Sequence, residues 1–150
     1  MGLSGFAAFY DAAREIVERL ASEQTPLGNL FRSRALRLAD TFARWATSPP
    51  DVAERSKTIQ ALVELNVETR AYEDGERQAR ELLARTGNLP PHVRAASPVA
   101  RRLVSDIIAV ADDFALWKGE RPPEANVREQ TIQALSTLTD QVNALLRGER

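Results

Sequence analysis

The chain writes one unusual stretch twice. Residues 40–62 read DTFARWATSPPDVAERSKTIQAL, and residues 112–135 read DDFALWKGERPPEANVREQTIQAL. Each stretch joins a Phe-x-x-Trp pair to a turn with two prolines and then to TIQAL. Few folds repeat such a corner, so this echo constrains the architecture more than any total does.

The periodicity around both corners is helical. Phe31, Ala35, Leu38, Phe42 and Trp45 recur at spacings of 4, 3, 4 and 3, one face of an α-helix. With Trp45 set against Trp117, that stripe matches Leu103, Ile107, Val110, Phe114 and Trp117. Past the turn, Ile59, Leu62, Leu65 and Tyr72 match Ile132, Leu135, Leu138 and Leu145. The shared positions are core positions and the corner itself, which is the pattern of a duplicated αα-hairpin. Proline at the start of a helix costs nothing, since its missing N–H would be unpaired there. The Trp one turn earlier is expected to cover the end of the core and keep its indole N–H near solvent.

Shorter helices are expected ahead of each hairpin. The first carries Phe6, Phe9, Ala13, Ile16 and Leu20 on one face, near residues 5–21. The second covers about 76–86, set off by Gly75 and Gly87. AREIVERLA against ERQARELLA gives weak support for a three-helix repeat. Thr25-Pro26 and Ser97-Pro98 each read as an N-cap followed by proline at the first helical position. Strand patterns are missing. The expectation is therefore an all-α fold. It is a four-helix bundle of two duplicated αα-hairpins with pseudo-twofold symmetry, plus two shorter accessory helices. All 150 residues fall in one domain, with repeat units of about 5–74 and 76–147.

Composition removes function classes rather than naming one. There is no cysteine, which excludes disulfides, thiolate metal sites and a cysteine nucleophile. The formal charge of -1 argues against a general nucleic-acid binder. No apolar run reaches the roughly 20 residues a membrane span needs. Asp11, Arg14 and Glu15 break up any signal-peptide pattern at the N-terminus. Arginine supplies all but two of the 20 basic residues, a usage typical of GC-rich bacterial genomes, and the expected location is cytoplasmic. The single histidine, His92, lies in a proline-rich loop and not on a helix, so a di-iron or Arg-His catalytic pair is not expected. No cofactor, metal site or catalytic residue is expected.

Function is sought where the two copies differ. Arg34, Arg37, Thr41 and Arg44 share one face about a quarter turn from the core stripe, and Arg32 lies nearby. The matching residues are Asp106, Ala109, Asp113, Leu116 and Val104, so the fold does not need the arginines. They form a candidate anion-facing surface, Arg32, Arg34, Arg37 and Arg44, for an acidic protein or for phosphates. The bland alternative is a solvated face with local ion pairs. The second copy is apolar over a wide arc, with Val104, Ile108 and Leu116 beside the core stripe. That arc is either central or covered by a partner, and a partner or oligomer interface is the sharper reading. The expected function is a non-enzymatic interaction module, an adaptor or accessory subunit that binds a protein partner or itself. One alternative is a nucleic-acid-contacting subunit using the arginines. The other is a sensor holding an apolar small ligand near Phe42, Trp45, Phe114 and Trp117.

Overall fold

The computed structural model describes residues 2–89 and 98–148, with side chains from Phe6 onward. Among them the secondary structure is entirely helical: α1 (Gly2–Arg19), α2 (Pro26–Arg44), α3 (Val52–Arg85), a 3-10 turn (Thr86–Asn88), α4 (Pro98–Leu116) and α5 (Ala125–Leu146). No described helix is long and apolar enough to cross a membrane. His92 and the cap expected from Ser97 lie outside the described residues.

The largest departure from expectation is α3. The sequence predicts a break at Gly75 and a separate helix over 76–86, yet one helix of 34 residues runs straight through. Gly75 keeps an ordinary backbone; among the described residues the only glycine with positive φ is Gly148. The glycine serves packing instead. A Cβ at position 75 would stand 2.5 Å from Cδ1 of Phe114, so only a bare backbone lets the ring come this close.

The chain divides into two compact units, residues 1–69 and 70–150, and the boundary falls inside α3. In the first unit α1 packs on α2. Ala13, Ile16, Leu20, Phe31, Ala35 and Phe42 are buried, together with Leu62 and Leu65 from α3. Each large side chain sequestered this way contributes about 1.5–3 kcal/mol. Rings close the end of this core: Phe6 meets Trp45 edge-on at 5.2 Å, and Phe9 lies 5.4 Å from Phe42. Arg19 crosses from α1 to α3 and donates to Thr69 Oγ1 at 3.0 Å, satisfying a fully buried hydroxyl.

In the second unit α4 packs on α5. Leu103, Ile107, Val110 and Phe114 are buried with Leu138 and Val142. The C-terminal part of α3 adds Tyr72, Ala79 and Leu82. Arg85, its last residue, donates to Asn143 Oδ1 on α5. Arg128, in the first turn of α5, is only 4% exposed and donates to the Pro123 carbonyl at 2.8 Å. It is a charged residue that binds the proline corner from within.

The helix starts mix expected and unexpected chemistry. Thr25 caps α2, accepting from Gly28 N at 3.0 Å with Pro26 at the first position, as its sequence requires. At the two Trp corners the prolines stand just before the helix and not in its first turn. Asp51 caps α3 by accepting from Glu54 N at 2.8 Å. Glu124 occupies the cap position of α5 without a side-chain bond, because its longer side chain does not close the short capping ring. The tryptophans also differ from expectation. Trp117 is fully buried, and its indole Nε1 has neither solvent nor a hydrogen-bond partner among the described residues.

Candidate functional site

Each unit opens a groove between its last two helical segments. In the first unit the walls are Arg34, Arg37 and Leu38 on α2, and Ala61, Glu64, Leu65 and Glu68 on α3, around about 330 Å³. In the second the walls run along α4 from Val99 to Val110 and along α5 from Ala134 to Leu145, around about 750 Å³. In the register that sets Trp45 on Trp117 and Ile59 on Ile132, every wall residue of the first groove has its counterpart in the second. The counterparts are Asp106, Ala109, Val110, Ala134, Thr137, Leu138 and Gln141.

The chemistry of the two grooves is nevertheless different. The first carries four charges, two guanidiniums facing two carboxylates across the cleft. The second replaces these with Asp106, Ala109, Thr137 and Gln141, and widens towards Val99, Leu103, Ala144 and Leu145. Its floor is apolar and its lip polar. Arg102 and Asp106 stand on that lip 3.8 Å apart, with side chains 85% and 51% exposed, an ion pair worth little in water.

The four arginines separate into two kinds. Arg32 is half-buried and bound to the α1–α2 turn. Its Nη1 donates to the carbonyls of Leu20 and Glu23 at 2.8 and 2.9 Å, and Nη2 to Asn29 Oδ1 at 2.6 Å. It ties the turn after α1 to α2, adding a second donor to the Leu20 carbonyl, which also accepts from Glu23 N at 3.1 Å. Arg34, Arg37 and Arg44 are exposed on one face of α2. Arg44 makes only a long contact to Thr41 Oγ1, 3.4 Å, and none of the three has a carboxylate within ion-pair distance among the described residues. Helical spacing could not separate Arg32 from these, because its partners belong to a turn.

The apolar arc on α4 is also divided. Val104 is half-buried beside Leu89 and Ala100. Ile108 is 44% and Leu116 60% exposed, so neither belongs to the core of its unit. Leu116 lies two turns beyond Ala109 on the same face, continuing the lip of the second groove. Phe42 and Trp45 form one buried pair, 4.9 Å between ring centroids, and Phe114 and Trp117 form another at 5.1 Å. The two pairs belong to different units. Phe42 borders a shallow cavity shared with Phe6 and Tyr10.

Sequence reasoning missed Thr137 and Gln141. Their spacing with Ala134 and Leu138 is visible on α5, but only packing against α4 makes it a wall. No cluster of three or more potential metal ligands is gathered among the described residues. The chain matches no family model, no curated protein and no solved structure.

Proposed function

We propose that this chain is a non-enzymatic interaction module, built from two copies of a three-helix unit, that binds protein through the outer faces of α2 and α4. Two pairs of contacts support the duplication, at an offset of 66 residues in this first segment instead of the 63 that AREIVERLA against ERQARELLA implies. Phe9 lies against Phe42, and Gly75 lies against the corresponding Phe114. Arg19 and Arg85, each near the end of its unit's first helical segment, both reach that unit's last segment, at Thr69 and Asn143. The hairpin repeat then extends to the helical segment ahead of it.

One observation carries the functional reading. The same lip position is cationic in one unit, and acidic and apolar in the other, and it is exposed in both. The fold tolerates either chemistry, so stability alone does not dictate the choice. Exposed Leu116, Val99 and Ile108 add apolar area that a binding partner would remove from water.

Photo-cross-linking tests this reading. Leu116→benzoylphenylalanine in cells of the source organism should give a discrete protein adduct. Glu54→benzoylphenylalanine, exposed at the start of α3, should not. No adduct at Leu116, or the same adducts at both positions, would reject it.

Two other readings have one observation each. The exposed arginines of α2 favour nucleic acid, although Glu64 and Glu68 line the same cleft as Arg34 and Arg37 and would repel phosphates. Binding that falls steeply with salt would mark that reading. The 750 Å³ of the second groove is within the range of small-molecule sites, and the ligand would then sit there and not beside the tryptophans. Native mass spectrometry of the purified chain would reveal such a ligand.

A further inference from the structure

We infer that the partner for these faces is a second copy of the chain, with α2 of one molecule laid antiparallel on α4 of the other. This rests on the interaction-module reading and names its partner.

The argument is a match of charge and spacing. Arg37, Thr41 and Arg44 follow one another at intervals of four and three residues on the outer face of α2. Asp106, Ala109 and Asp113 follow at three and four on the corresponding face of α4. Read antiparallel, the two series coincide, so that Arg37 meets Asp113, Thr41 meets Ala109 and Arg44 meets Asp106. Each charged pair spans seven residues, about 10.5 Å along its helix, so both contacts form without bending either helix. The small residues between them, Thr41 and Ala109, let the backbones approach. One step further, Arg34 falls opposite Leu116, whose exposed side chain would cover the methylene stem of the arginine.

Little has to be given up to make this contact. Among the described residues Arg34, Arg37 and Asp113 have no ion-pair partner, and Asp106 has only the loose, exposed pair with Arg102. The two series lie in different units and carry opposite charge, Arg37 and Arg44 on α2 against Asp113 and Asp106 on α4, with Glu64 and Glu68 bordering the first and Arg102 the second. Related by a twofold axis the contact forms twice and closes an isologous dimer; related by any other rotation it runs head to tail into a ring or filament.

Charge reversal in the full-length chain tests it. Sedimentation velocity of the wild-type protein should show reversible self-association that weakens with added salt. Arg37→Asp alone and Asp113→Arg alone should each weaken it about tenfold or more, since each sets like charges against each other. An equimolar mixture of the two variants should associate again, because the carboxylate introduced on α2 of one then meets the guanidinium introduced on α4 of the other. Circular dichroism of each variant should match the wild type. A wild-type chain that stays monomeric, single variants that associate normally, or a mixture that gains nothing would each overturn the inference. A monomer that still gives a heterologous adduct at Leu116 would leave the module reading standing, and loss of both results would remove both.

Discussion

Gly75→Ala isolates the close approach between α3 and Phe114. In an unhindered helix this change stabilises by about 0.8–1 kcal/mol, because alanine is the better helix former. Here the added Cβ would lie 2.5, 2.6 and 2.9 Å from Cδ1, Cε1 and Cγ of Phe114. Carbon atoms rest at about 3.5–4.0 Å, so the ring or the helix has to move by about 1 Å. The ring has little room: Phe114 is 3% exposed and lies 5.1 Å from the fully buried Trp117. Overpacking of this kind costs about 1–3 kcal/mol, which exceeds the propensity gain. A net loss of about 1 kcal/mol is expected, the sum of these two opposing effects. Urea unfolding followed by tryptophan fluorescence would measure it, with Trp45→Phe in every variant so that Trp117 alone reports on the second unit. Gly87→Ala is the control. No atom lies within 4 Å of its would-be Cβ and its φ is not positive, so it should be stabilising by about 0.4–1 kcal/mol. In a Phe114→Leu background, Gly75→Ala should lose its penalty. A Gly75→Ala protein about 1 kcal/mol more stable than its parent would refute the packing account.

Urea unfolding followed by far-UV circular dichroism, with both tryptophans otherwise in place, checks three further changes. Thr25→Ala removes the bond to Gly28 N and should cost about 1 kcal/mol; no loss would mean that Pro26 alone fixes the start of α2. Arg32→Ala removes three hydrogen bonds across the α1–α2 turn and should cost about 1–3 kcal/mol, whereas Arg37→Ala should stay within about 0.5 kcal/mol of wild type; equal effects would erase the distinction between turn and surface arginines. Trp117→Phe should cost at least about 1 kcal/mol less than Trp45→Phe, because it also removes a buried N–H without a partner; equal costs would mean that this N–H is satisfied.

What could be read from the sequence was whatever depends on one helix at a time. The stripes on α2 and α4 and the exposure of Arg34, Arg37 and Arg44 follow from the 3.6-residue period, and the Thr25 cap from the local Thr-Pro pair. What could not be read depends on distant neighbours. Gly75 resembles a helix break because its local chemistry is permissive; the reason for the glycine is a ring 39 residues away on α4. Arg32 resembles its exposed neighbours because its carbonyl partners at Leu20 and Glu23 lie across a turn. Half of each groove was visible as a difference between the copies. The other half, on α3 and α5, became a wall only once the helices were paired.

The unbroken course of α3 has a consequence for how this protein can be taken apart. Proteases cut exposed, flexible chain, and junctions between domains normally supply it in a polar linker. Here the division between the units falls between Thr69 and Arg70, in mid-helix, with Thr69 fully buried and bound by Arg19. Cleavage there must wait for several turns to melt, and that event also strips Leu65 and Tyr72 from the cores on either side. Resistance at this junction is therefore set by the opening energy of both units' packing, not by the accessibility of a tether.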